Sequence, residues 1–426
     1  MKKEGKFKVY SLISACTEKF NDKSISSAST STYLDDINFP NTGKREADEK
    51  ILKGLNEVCM DKSLLYIEEE DNIPHHGRGP KYTMWRICAI FEDVLQKFAM
   101  KKSPELSIRK QTFEECSFYK GRLVLKPCEN PRMIRINFRN ALSQPKFCLI
   151  LYILAKVLDL LDNKSKSTKR EIYYQIKNLI SNQGKVDNAL KAVSCMLGLG
   201  PWDLNIISHK GLVFGNLKIT MSTNEVINCN IPGTLIPQEV DDIVELEASA
   251  YFILVVEKES IFFKLLDENL PHRLTKPFIM ITGKGFPDLN TQLFLRKLWI
   301  VMSIPVFILT DADPHGVNIM IAYRFGSLAN AHISDQLAVP KAKWLGVFPS
   351  EILKLNAEKQ SLTENERRVV KNILKTPYIK GNPRIEQELK ILLEFNYKTG
   401  IEGIMKNNNF LSEFYFPMKF HSRDLI

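Results

Sequence analysis

The sequence predicts a multi-domain chain in which a parallel-sheet α/β domain is joined to a helical unit of winged-helix type. Three observations carry this reading. Apolar runs at 251–256, 278–282 and 305–309 alternate with helical patterns, which is the order of a parallel sheet. Residues 146–217 read helix, helix, helix and two-stranded ribbon, the order of a winged helix-turn-helix. The 426 residues, 44% hydrophobic and 25% charged, are enough for two or three domains and exclude a small stapled scaffold.

Charge and cysteine usage narrow the function classes. Lys and Arg outnumber Asp and Glu by 59 to 49, a net +10 that favours an anionic partner, nucleic acid first. The 8 cysteines are scattered with no C-x-x-C pair, which excludes a zinc ribbon and fits a reducing compartment. The opening Met1-Lys2-Lys3-Glu4 begins no secretory signal, and the most apolar run, 147–155, is too short to span a bilayer. No membrane association is expected.

Each element has a local reason. Residues 1–74 are rich in Ser, Asp, Asn and Lys and read as a mobile tail with one short helix near 47–60. A turn cluster at 74–80 follows, whose His75 and His76 lack the further ligands a metal site needs. Met84, Cys88, Phe91, Leu95 and Phe98 recur at spacings of three and four, so this helix has an apolar stripe. The stripe serves either as core or as a docking face for a partner, and periodicity favours core.

The first helix of the winged unit ends near Leu161. Thr168 with Glu171 forms a capping box that opens the second helix, placing Tyr173 and Tyr174 in its first turns. The third helix, from about Gly184, runs through Val186, Leu190, Val193 and Leu197, with Lys185 and Lys191 on its polar side as the groove reader. Residues 204–208 and 212–214 are the expected wing, its turn offering Lys210 to a phosphate. The winged-helix domain is set at 75–227, a connector at 228–245, and the α/β domain with a C-terminal helical extension at 246–426, the stretch beyond Trp344 carrying no visible chemistry.

Two constellations carry chemistry. Asp311-Ala312-Asp313-Pro314-His315-Gly316 ends the third strand, and residues i and i+2 of an extended segment face one side, so Asp311 and Asp313 converge. Glu257 ends the first strand of the same domain and becomes the third carboxylate. Hard oxygen donors with nothing softer beside them call for Mg²⁺. The loop Thr282-Gly283-Lys284-Gly285-Phe286 lacks the spacing that cradles a nucleotide triphosphate. Lys284 is a phosphate contact or part of a plain turn, and Phe286 a minor-groove wedge or a core plug.

The second constellation is Lys169-Arg170-Glu171-Ile172-Tyr173-Tyr174. A phenol titrates near about 10 and is a weak nucleophile without positive charge beside it. Arg170 lies four residues before Tyr174 and shares its helix face. By pattern alone, paired helical tyrosines are as well read as packing residues.

In this order, Lys-Arg-Glu-Ile-Tyr-Tyr, Glu257, Thr282-Gly283-Lys284-Gly285 and Asp311-Ala312-Asp313-Pro314-His315-Gly316 resemble the A subunit of topoisomerase VI. They look most like its eukaryotic meiotic branch, the sporulation transesterases that make the double-strand breaks initiating meiotic recombination. The resemblance runs from about residue 80 to the C-terminus. It implies a TOPRIM domain holding Mg²⁺ and a catabolite-activator-like winged helix carrying the catalytic tyrosine. Tyr174 would attack a DNA phosphodiester and stay on the 5′ end, with Arg170 stabilising the transition state and Glu257, Asp311 and Asp313 holding metal, Glu257 also counting as catalytic. Tyr173 is the second candidate. DNA contacts would fall to Lys185, Lys210, Lys284 and Phe286.

The resemblance also implies a homodimer, at least on DNA, with the tyrosine of one protomer working at the metal site of the other. A topoisomerase VI B-like partner would dock near Met84 and Phe98, other meiotic break-forming proteins would assist, and the work would be done on chromosomes in the nucleus. Three alternatives stay open: the A component of an ATP-dependent type IIB topoisomerase, a TOPRIM metal-dependent nuclease, and an inactive DNA-binding scaffold.

Overall fold

The computed structural model describes Glu57 and residues 79–426, except His209 and Thr275. The expected tail, its helix at 47–60 and the pair His75 and His76 lie outside the described residues. Among the described residues no helix is long and apolar enough to cross a membrane.

The first part of the chain is mainly helical. Helices α1 (Pro80–Ala99), α2 (Gln144–Asp162), α3 (Lys169–Gln175) and α4 (Gln183–Leu197) share one apolar core with Leu204 and Ile206. In α1 the buried residues are Thr83, Ile87, Phe91 and Val94. The expected stripe is thus rotated: Phe91 is core, Cys88 is exposed and Met84, Leu95 and Phe98 are only half-buried. Its apolar residues span more than one face, so spacing alone placed the stripe's centre about one residue off.

Between α1 and α2 run two antiparallel pairs. Strand β1 (Glu105–Arg109) pairs with β4 (Met133–Asn137), and β2 (Cys116–Tyr119) with β3 (Arg122–Leu125). The second hairpin leaves the helical unit. Cys116 and Leu123 join the core of the α/β part, and Leu123 N donates to Phe325 O at 2.9 Å.

The expected wing is not a ribbon. Strand β5 (Ser167–Thr168) pairs in parallel with β6 (Ile206–Ile207), while β7 (Leu212–Gly215) enters the large sheet, antiparallel to β13 (Ile279–Thr282). Leu212 and Val213 are both buried, so β7 is covered on both faces, as a wing strand is not. Beyond it β8 (Leu217–Met221) pairs with β9 (Val226–Asn228) and with β11 (Ile243–Ala248), and within the expected connector β10 (Thr234–Leu235) adds to β7.

The large sheet has the order β10-β7-β13-β12-β14-β15, with β12 (Ile253–Val256), β14 (Val306–Leu309) and β15 (Lys343–Gly346). The four strands from β13 to β15 are mutually parallel. Every residue of β12, β13 and β14 is buried, which explains their unbroken apolar sequences. Helices α5 (Glu259–Asp267), α6 (Leu289–Met302) and α7 (Pro314–Arg324) follow β12, β13 and β14, so the loops that begin them lie at the carboxyl ends of the strands.

Candidate functional site

Glu257, Lys284 and Asp311 stand just past the ends of three adjacent parallel strands, because β13, β12 and β14 are neighbours in the sheet. Glu257 is buried, and its Oε2 accepts from Asp311 N at 2.8 Å. Gly285 N in turn donates to Glu257 O at 2.7 Å, tying the glycine loop to the same point. Asp311 is buried too, its Oδ1 accepting from Ile401 N at 2.9 Å and its Oδ2 lying 2.8 Å from Lys258 Nζ.

Asp313 has a different task. It caps α7, its Oδ1 accepting from Gly316 N at 2.6 Å, while Gly316 packs so closely that a Cβ there would lie 2.3 Å from Asp311 O. One Asp313 oxygen is thus spent on the helix cap, while its charge still acts on both Asp311 and Glu257. Among the described residues no three His, Cys, Asp or Glu side chains close into a ready cation cage.

The electrostatics nevertheless mark one acidic site. Burial first, then the charges of Asp311 and Asp313, push the Glu257 carboxyl up to about 8. Burial raises Asp311 as well, with the Lys258 ammonium opposing it. Three hard carboxylate donors whose charges repel one another, offset in this cluster by the Lys258 ammonium, have the chemistry of a divalent-cation site.

Glu257 opens onto a cleft of about 540 Å³ that Gly285, Phe286, His315, Asn318 and Tyr378 help to line. Phe286 is 54% exposed, which removes the core-plug reading. Lys210, expected on a wing, lies instead against this loop and donates from Nζ to Phe286 O at 3.1 Å. Lys284 has a left-handed φ of 54° and pairs with Glu259 Oε1 at 2.8 Å. Lys210, Lys284 and Phe286 thus surround one loop, whereas Lys185 is exposed at the start of α4.

The tyrosines separate clearly. Helix α3 is one short piece started by the expected capping box, with Thr168 Oγ1 accepting from Glu171 N at 3.1 Å and Glu171 Oε2 accepting from Thr168 N at 2.7 Å. Ile172 anchors it in the helical core, and Tyr173 packs against that core. Tyr174 is 57% exposed, and Arg170, one turn earlier, is exposed as well.

Sequence reading missed Lys258, Ile401 and Glu402. Lys258 Nζ also meets Glu402 Oε2 at 2.5 Å, and Ala312 N donates to Thr399 O at 3.0 Å. The stretch beyond Trp344, expected to be without chemistry, therefore closes one side of the acidic site. Lys258 was legible as the neighbour of Glu257; Glu402 had no local signal.

A parallel sheet of this order with an acidic site at its carboxyl edge, in a chain that also carries an exposed tyrosine on a short basic helix, is the arrangement expected of a DNA-cleaving enzyme of the topoisomerase kind. Residues 252–420 match the model for the Toprim domain of Spo11 and the topoisomerase 6 A-subunit, and residues 145–206 match the model for type IIB DNA topoisomerase. The chain belongs to this Spo11/topoisomerase VI A-subunit family. It is 36% identical to the meiotic recombination protein SPO11 of Homo sapiens over 337 residues, 78% of this chain and 85% of that one. It is 33% identical to the meiotic recombination protein W68 of Drosophila melanogaster, over 67% of this chain and 86% of that one. The A-subunit of DNA topoisomerase 6 from Arabidopsis thaliana is 33% identical over 67% of this chain and 68% of its own length.

Proposed function

We propose that this chain cleaves duplex DNA by tyrosine transesterification, leaving itself covalently on the 5′ ends, and so initiates meiotic recombination. The observation that carries the reading is the exposed Tyr174 on a capped, basic helix, set in a chain whose relatives include meiotic recombination proteins. The Tyr174 oxygen attacks phosphorus, the bond to the 3′ oxygen breaks, and that oxygen takes up a proton. One phosphodiester replaces another, so cleavage itself needs no external energy. Arg170, exposed one helical turn before Tyr174, would stabilise the negative charge that develops on the phosphoryl oxygens.

Glu257, Asp311 and Asp313 would hold a divalent cation, Mg²⁺ by their chemistry, which when bound supplies Lewis-acid charge against the phosphate oxygens. Phe286, which lines the cleft, and Lys210 and Lys284 on and against the same loop would grip the duplex, and Lys185 and Lys191 would present α4 to a groove. We assign the tyrosine to a unit of winged-helix kind whose three helices are α2 to α4, and the metal to the unit that begins with β7. Cutting both strands requires two copies, with the tyrosine of one at the acidic site of the other. A topoisomerase VI B-like partner fits on α1, whose Trp85 is exposed, and the work belongs on nuclear chromosomes beside other break-forming proteins.

A denaturing gel tests this. Protein covalently attached to 5′ ends is the expected product in Mg²⁺; free 5′ phosphate would instead indicate metal-activated water, and no product a scaffold.

A further inference from the structure

Lys258 follows Glu257 directly, and its ammonium sits between two carboxylates of unequal character. Asp311 Oδ2, 2.8 Å away, belongs to a side chain only 10% exposed, whereas Glu402 Oε2, 2.5 Å away, belongs to one that is 46% exposed. Asp311 cannot turn aside, since its Oδ1 is fixed by Ile401 N at 2.9 Å. Its Oδ2 is therefore the oxygen left for a cation, and Lys258 already holds it.

We propose that Lys258 is a counter-ion gate for the acidic site: it bridges Asp311 and Glu402 until a divalent cation arrives, then gives up Asp311 and is held by Glu402 alone. The proposal rests on the metal reading of Glu257, Asp311 and Asp313 given above. An ammonium and a divalent ion on one carboxylate oxygen repel each other, so one must leave. The flexible lysine stem permits that movement. Room for it is kept by Gly400, where a Cβ would lie 3.0 Å from Lys258 Nζ and 2.8 Å from Glu402 Oε2. Lys258 is thus a positioning residue for the metal, supplied by the strand end, with its resting place supplied by the far C-terminal segment.

The test is Mn²⁺ binding to the full chain without DNA, read as the electron paramagnetic resonance of free Mn²⁺. Lys258→Met should bind Mn²⁺ about tenfold more tightly than the parent chain, because one opposing charge is gone. Lys258→Arg should bind like the parent, and Glu402→Gln several-fold more weakly, since the ammonium loses its resting place. Unchanged or weaker binding by Lys258→Met overturns the gate. If that variant fails to show a native melting transition, Glu402→Gln decides, and parental affinity there overturns the proposal. Glu257→Gln separates the two failures. If it abolishes Mn²⁺ binding while the Lys258 variants change nothing, only the gate falls; if the parent chain shows no binding that depends on Glu257, the metal reading falls and the gate with it.

Discussion

Tyr173 and Tyr174 are adjacent in sequence and opposite in circumstance. Their rings lie 5.7 Å apart, yet the first leans on the helical core and the second faces solvent. Tyr174→Phe should lower covalent complex formation by about a thousandfold or more, the usual loss on removing a nucleophile, while Tyr173→Phe should leave it within a few-fold. Quantifying protein-linked DNA for the two variants checks this. In the sequence the expectation for Tyr174 rests on its helix-face spacing to Arg170. The acidic residues stood out because Glu257 directly follows one apolar strand and the Asp311–Asp313 pair lies in the loop just after another. What sequence could not show is that Asp313 spends one oxygen capping α7, or that Lys258 and Glu402 meet across the site.

At the scale of elements, α3 is too short to be stable alone and depends on its cap and on Ile172. Thr168→Ala should cost about 1 kcal/mol of stability, measurable by urea denaturation, and should reduce cleavage more than it reduces DNA binding, since it loosens the piece that carries Tyr174. Capping chemistry is local, which is why the start of this helix was predictable to the residue while its end at Gln175 was not. The three parallel strands were also found, each one or two residues shorter than expected. The wing failed for the opposite reason. Residues 204–214 look like a hairpin because the signal for a strand is local, whereas the choice of partner is made across the fold, here by β5 and β13.

Across the whole molecule, one histidine ties the tyrosine-bearing helical unit to the α/β one. His332 Nδ1 lies 2.8 Å from Gln111 Nε2, and its Nε2 lies 2.8 Å from Ser194 Oγ, which donates onward to Leu199 O. The chain of bonds requires neutral imidazole with the proton on Nε2, and burial pushes His332 down to about 4. Its folded value lies below its unfolded value of about 6.5, so the stabilisation is present above that pH and is lost as pH falls toward 4. Stability should drop by about 2 kcal/mol between pH 7 and pH 5 through this group, and His332→Asn should lose less over that range in urea denaturation. DNA affinity should fall steeply with salt, as contacts from exposed Lys185, Lys191 and Lys210 displace counterions from phosphates. Filter-binding at several ionic strengths gives the slope, and a flat response would contradict phosphate contact by these lysines.

The most direct measurement is mass spectrometry of the peptide left on DNA after cleavage by the full chain and protease digestion. The account predicts a 5′-phosphotyrosyl link on Tyr174, absent when that residue is Phe. A nucleotide found on Tyr173 or on any other residue would contradict it.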